Sequence, residues 1–305
     1  MALDPSGVTG PTLGQSRGRR WRRTTPGRYV PAEARRCVEQ RILEQSMLLP
    51  SGGVVSGWAA MRLHGAAFCD GLARDGRTEL PVPLLVPPHL DVRPGSGAVR
   101  HRALLAPDEM TERADIPVAT AARATFDAAR WCADLREAVV MIDIALAAGL
   151  CTHDQLVAHL ARRSGARDSG VVRQALTLAN PRTLSPEETR VRLIWVLDAG
   201  LPEPRCNWPV ADSSGRRIGR PDLLCEELAV VGEFDGWDHR GARTHRIDVG
   251  KEDAYRNAGL EVFHVVGSDV RDRGLVVRRM QRAVARARQA DRPRDWLIRT
   301  DPGPL

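Results

Sequence analysis

Downstream of Asn180-Pro181 the residue pattern reads as helix, three strands, helix, strand, helix, and that order restricts this half of the chain to one compact unit mixing both structures. Ser185-Pro186-Glu187-Glu188 supplies an N-cap, a proline at the first helical position and acids in the first turn. The helix it opens continues through Val191, Leu193, Ile194, Val196 and Leu197 and stops at Gly200. Three strand-like segments follow, about 207–211, 217–225 and 228–235, joined by Ser213-Ser214-Gly215 and Glu226-Glu227, which predicts a meander. A second helix near 248–258 ends at Gly259, Leu260 to Val266 reads as a buried strand, and a last helix spans about 275–289.

The upstream half differs. Residues 1–20, rich in Gly, Pro, Ser and Arg, read as a flexible basic tail. Tyr29 to Pro31 suggests a short strand, and helical patterns cover about 32–48, the stretch after Ser56 up to Gly65, 119–131, 134–149, 153–162 and 168–179. Short apolar runs over 79–106 suggest small strands. A chain of 305 residues allows two domains. The expected class is α/β (mixed α+β), with a mostly helical N-terminal domain over 21–179 carrying a small sheet, a C-terminal domain over 183–290 with a mixed sheet flanked by helices, and a tail over 291–305.

Composition narrows the function classes. A 43% hydrophobic and 27% charged balance excludes global disorder. The longest apolar stretch, about 138–150, is interrupted by Asp143 and too short to cross a bilayer, and no signal-like core opens the chain. The six cysteines lie far apart with no C-x-x-C pair, so reduced thiols and a cytoplasmic location are expected, with no membrane partner. Residues 17–36 carry eight arginines and one acid, residues 267–300 ten arginines and four acids, while 37–266 hold 27 basic and 31 acidic side chains. Positive charge gathered towards both ends suits a polyanionic partner. Of 45 basic residues, 44 are arginine; the single lysine is Lys251.

The acids of the downstream half carry the chemistry. Glu233 and Asp235 are two residues apart on one strand, hence on one face, and hairpin pairing can bring Asp222 beside them. Glu188, in the first turn of the preceding helix, is a fourth candidate. Such carboxylates repel unless a cation neutralises them, and Mg²⁺ (or Mn²⁺) suits a site offering one or two carboxylates. Asp222, Glu233 and Asp235 are the expected metal-binding residues.

Arg220-Pro221-Asp222, ten residues, then Glu233-Phe234-Asp235-Gly236 resembles the PD-(D/E)XK nuclease superfamily, and more closely its branch related to very-short-patch mismatch-repair endonucleases, common as a C-terminal domain of actinobacterial proteins. Ser185 to Thr189, Gly200 to Pro204, Gly219 to Asp222, Glu233 to Gly236, His239, Asp248 and Lys251 follow that branch's pattern. The resemblance implies a restriction-endonuclease-like fold and metal-dependent DNA cleavage by phosphodiester hydrolysis. The lysine of the superfamily's E-x-K is Asp235 here, so another group must supply positive charge; Lys251 and His239 are the candidates, His239 also as general base. Catalytic expectations are therefore Glu188, Asp222, Glu233, Asp235, His239 and Lys251.

Trp21 to Pro31, Val55 to Ala60, Leu63-His64-Gly65, Ile116 to Ala119 and Arg123 to Asp127 resemble the abortive-infection antitoxin of type IV toxin–antitoxin systems, with most of its winged helix missing. That resemblance implies the alternative, a non-catalytic DNA- or protein-binding regulator built on a degenerate nuclease fold. Arg278, Arg282 and Arg286, at i, i+4 and i+8 on the last helix, form a basic stripe expected to contact nucleic acid, most naturally DNA. His64 and Asp127 read as packed structural groups. Oligomeric state is not legible.

Overall fold

The computed structural model describes residues 1–90, 93, 95–163, 165, 169–235, 242–290 and 293–299, with the backbone alone over 242–249. The fold mixes helices with several sheets, and the chain divides into two compact units, Met1–Leu176 and Thr177–Leu305.

The first unit opens on a lone antiparallel hairpin, β1 (Trp21–Thr25) and β2 (Arg28–Pro31). Then come α1 (Val38–Ser46), β3 (Val54–Val55), α2 (Gly57–Leu63), β4 (Val82–Val86), β5 (Ala98–Arg102), β6 (Met110–Arg113), β7 (Ile116–Ala119) and the helices α3 (Ala121–Arg130), α4 (Leu135–Ala147), α5 (His153–Ala161) and α6 (Ser169–Leu178), whose last turn crosses into the second unit. Five strands make a mixed sheet ordered β5-β4-β3-β7-β6. Strands β3, β6 and β7 run for two to four residues, too short to show a period of two. Residues 1–20, expected as a flexible basic tail, make internal hydrogen bonds. The Met1 ammonium donates to the Tyr29 carbonyl (2.9 Å), and the Asp4 carboxylate gathers the amides of Ser6, Val8 and Thr9; the Thr9 amide, then the Ser6 hydroxyl and amide, hold its pKa well below the usual range.

The second unit contains α7 (Pro186–Leu193), prolonged by a π turn over Ile194–Asp198, then β8 (Arg205–Cys206), β9 (Val210–Ala211), β10 (Arg217–Gly219), β11 (Leu223–Cys225), β12 (Val230–Asp235), α8 (Ala242–Asn257), β13 (Glu261–Val266), α9 (Arg273–Gln289) and β14 (Leu297–Ile298). The central sheet is ordered β13-β12-β11-β8; β12 and β13 are parallel, with α8 as the crossover, and the other pairs are antiparallel. The expected meander is in fact divided between two sheets. Its middle segment breaks at Arg220-Pro221, where proline has no amide to donate, so β10 pairs with β9 in a separate sheet closed by β14. Strand β14 and the buried Trp296 lie in the stretch read as a tail.

Alternation sorts the central sheet into two faces. One buries Leu223, Cys225, Val230, Phe263 and Val265 against Trp195 and against Val276, Met280, Ala283 and Val284 of α9. The rings of Trp195 and Phe263 stack at 5.7 Å, and a side chain at Gly232 would press within 2.4 Å of Phe263. The other face buries Leu224, Val231 and Val262 against Tyr255 and Ala258 of α8 and Trp296. Helices α8 and α9 therefore cover opposite faces. Among the described residues no helix is long and apolar enough to cross a membrane, and all six cysteines are free thiols.

Candidate functional site

Three ionisable residues line up across the α8 face. Strands β11 and β12 pair Leu224 with Val231 and Leu223 with Gly232, so one further step sets Asp222 opposite Glu233. The parallel register of β12 and β13 sets Glu233 beside His264. Asp235, one period further along β12, shares that face. The cleft beneath α8, about 270 Å³ with its open mouth, is lined by Glu233, Asp235, Lys251, Glu252, Tyr255, Val262 and His264.

Helix α8 brings a cation to the row. Lys251 Nζ lies 2.7 Å from Glu233 Oε1, and the Glu233 side chain is only 14% exposed. One turn later the buried Tyr255 hydroxyl faces Glu233 without reaching hydrogen-bond geometry. Both side chains rest on Gly219: a Cβ there would stand 2.3 Å from Tyr255 Oη and 3.0 Å from Lys251 Cε. The glycine ahead of Arg-Pro-Asp is thus the floor on which the helix seats its lysine.

Charge in this row is incompletely balanced. Burial, then the neighbouring carboxylates Glu188 and Glu233, pushes the Asp222 pKa up to about 8, although the Phe234 amide donates to Asp222 Oδ2 (2.6 Å) and Lys251 opposes the rise. Burial also raises Glu233, with Lys251 resisting. Glu188 is buried at the N-terminus of α7, where its Oε2 accepts from the Leu184 amide (2.9 Å) and Asn207 Nδ2 (2.7 Å). It acts as a structural anchor that adds its charge to the field at Asp222.

Asp235 points into the same cleft and meets a partner that the sequence reading missed. His264 Nδ1 lies 3.2 Å from Asp235 Oδ2, and its Nε2 is 3.5 Å from Glu252 Oε2. The hydrogen bond to Asp235 raises the His264 pKa against the opposing effect of burial. Val-Phe-His-Val-Val looks like a buried strand, and the lone polar residue within it was the available signal. His239 lies outside the described residues.

The arginine stripe stands elsewhere. Arg278 and Arg282 are exposed on α9, while Arg286 Nε is bound to Glu261 Oε1 at 2.6 Å. Because α9 covers the sheet face opposite Asp222 and Glu233, the stripe does not flank them. In the first unit, His64 Nε2 contacts the Ala119 carbonyl at 2.8 Å and Asp127 is fully buried, both in structural settings.

Among the described residues no three His, Cys, Asp or Glu side chains converge into a metal cage made of protein donors alone. Asp222 and Glu233 are the residues that could hold a cation completing its shell with water and phosphate oxygens. No family model and no solved structure matches the chain. Two uncharacterized proteins, from two strains of Mycobacterium tuberculosis, are each 26% identical to it over 155 residues, 50% of this chain and 56% of theirs. The matched stretch spans about half the length of these curated relatives.

Proposed function

We propose that the second unit is a metal-dependent nuclease of the PD-(D/E)XK kind, hydrolysing phosphodiester bonds in DNA. One observation carries this reading: the ladder that pairs Leu223 with Gly232 leads on to Asp222 and Glu233, whose charges act on each other, and the one lysine of the chain is placed on Glu233. In a protein that otherwise uses arginine throughout, a compact ammonium at this position answers the superfamily's lysine from a different element. Asp222 and Glu233 would hold Mg²⁺ or Mn²⁺, which when bound there supplies Lewis-acid stabilisation of the phosphate and a more acidic water. The raised pKa of Asp222 supports the fit, since an excess of negative charge is what a divalent cation relieves. Lys251 orients Glu233 and sets a positive charge at the mouth of the cleft, where anionic charge grows on a phosphorane-like transition state. His264 holds Asp235 by its second carboxylate oxygen and keeps it turned towards β13.

The test is Mn²⁺ titration together with plasmid nicking. Asp222-dependent Mn²⁺ binding and metal-dependent nicking support the nuclease. A protein that binds no Mn²⁺ and leaves single-stranded, duplex and mismatched DNA intact is instead the non-catalytic regulator.

A further inference from the structure

The loop that precedes α7 and the loop that follows β8 are tied together beside the carboxylate row. Arg182 donates through Nε to the Cys206 carbonyl (3.3 Å) and through Nη2 to the Asn207 carbonyl (2.9 Å), and Asn207 Nδ2 returns a bond to the Arg182 carbonyl (2.8 Å). Asn207 adopts the left-handed backbone region, φ 54°, and is held there by its amide on the Pro221 and Asp222 carbonyls (3.2 Å each) and by its side chain on Glu188. This turn presents Trp208, half-buried, to two guanidinium groups: Arg182 at 5.2 Å and Arg205 at 5.3 Å from the ring centre. Arg205 pairs across the ladder with Leu224, so its side chain leaves the sheet on the same face as Asp222 and Glu233.

The charges here are poorly compensated. Arg205 faces Glu226 across 3.6 Å, but the two side chains are 49% and 42% exposed, and such a pair holds weakly in water. Among the described residues no carboxylate pairs with Arg182; burial and the Arg220 guanidinium depress its pKa. Both guanidinium groups lie within cation–π distance of the indole; Arg205, held only by its weak pair with Glu226, can turn N–H groups to the oxygens of a phosphate, and Arg182, whose Nε and Nη2 hold the loop carbonyls, adds its charge.

We propose that Arg182 and Arg205, held over Trp208, form a seat for backbone phosphates of a DNA strand entering the carboxylate row; the proposal rests on reading that row as a site of phosphodiester cleavage. The seat lies on the edge strand next to Asp222, on the face that the α9 arginines do not reach. It also explains why a turn with a non-glycine left-handed residue is fastened by so many hydrogen bonds, since a phosphate seat must be pre-set to bind without ordering cost.

The experiment measures binding of a labelled single-stranded oligodeoxynucleotide and its duplex to the full chain in EDTA, across a series of NaCl concentrations. Arg205→Ala is expected to weaken binding about tenfold, the scale of one charge-assisted hydrogen bond, and to reduce the slope of log affinity against log salt by about one. Arg182→Lys keeps the charge but drops the two bonds that hold the Cys206 and Asn207 carbonyls, so it is expected to loosen the seat and weaken binding with the slope preserved. An Arg205→Ala protein with unchanged affinity and slope overturns the seat. Plasmid nicking by the unmodified protein separates the two claims. Binding that depends on Arg205 without any nicking keeps the seat and removes the nuclease; nicking with Arg205→Ala indistinguishable from the unmodified protein does the reverse.

Discussion

Asp127 in the first unit and Asp222 in the second are both aspartates taken largely out of water, and their surroundings differ in kind. Asp127 is 0% exposed and accepts from Ser56 Oγ (2.7 Å), Arg123 Nε (2.9 Å) and Arg130 Nε (2.8 Å). Arg123, itself buried, continues to Glu109 (3.0 Å), which also takes Arg163 and the Ala106 amide. Burial would raise the Glu109 pKa, but these donors bring it down to about 2. Asp222 has one amide and two neighbouring carboxylates, and stands near 8. A closed network is a fixture of architecture, because every charge has its counter-charge within the protein. An open one leaves a deficit that a bound cation can fill. Charge balance, more than burial, separates the structural aspartate from the candidate catalytic one.

Arg123→Ala leaves Asp127 and Glu109 buried and short of a partner, and is expected to cost about 3–5 kcal/mol of stability in urea denaturation of the full chain. A loss under about 1 kcal/mol means that the network is not what holds this unit together.

Lys251→Ala tests the open row. Nicking should fall roughly 10²–10³-fold, the scale of losing one transition-state charge stabiliser, while Mn²⁺ binding survives. Asp222→Ala should abolish both, and Asp235→Ala should weaken Mn²⁺ binding to an intermediate degree. Equal nicking by Lys251→Ala and the unmodified protein removes the ammonium from the mechanism.

A smaller effect is expected at the floor of the site. Gly219→Ala drives a methyl into Tyr255 and Lys251 and should destabilise by about 1–3 kcal/mol, the usual cost of overpacking. The readout is the urea midpoint together with the KM and kcat of nicking. An unchanged midpoint means that α8 shifts freely on the sheet.

The remaining tests concern pH and have opposite signs in the two units. Glu109 has a folded pKa below its unfolded value, so its contribution to stability is complete above about pH 4.5 and is lost as pH falls through about 2. Asp222 has a folded pKa above its unfolded value of 3.8, so its contribution is present below that value and is lost as pH rises through about 8. Without metal, Asp222→Asn should therefore raise the melting temperature more at pH 9 than at pH 5, whereas Glu109→Gln should lower it more at pH 7 than at pH 3. Identical pH profiles for the two variants erase the distinction between the networks.

Much of the second unit was legible because its signals are local. Ser185-Pro186-Glu187-Glu188 caps a helix wherever it stands, and Ser185 Oγ accepts from the Glu188 amide at 3.2 Å as expected. A strand alternates by stereochemistry alone, so Glu233 and Asp235 had to share a face. The order of elements and the excess of arginine at both ends also required no third dimension. What the sequence left open were pairings between distant segments. The position of Lys251 on Glu233 depends on a crossover helix lying over one face of the sheet, and that of His264 beside Glu233 depends on a parallel register set by packing. The break of the expected meander at Pro221, the strand at Leu297–Ile298 and the turn of α9 towards the far face were decided in the same way. Local chemistry determines which way a side chain leaves its own backbone; only the burial of whole apolar faces determines which other backbone it meets.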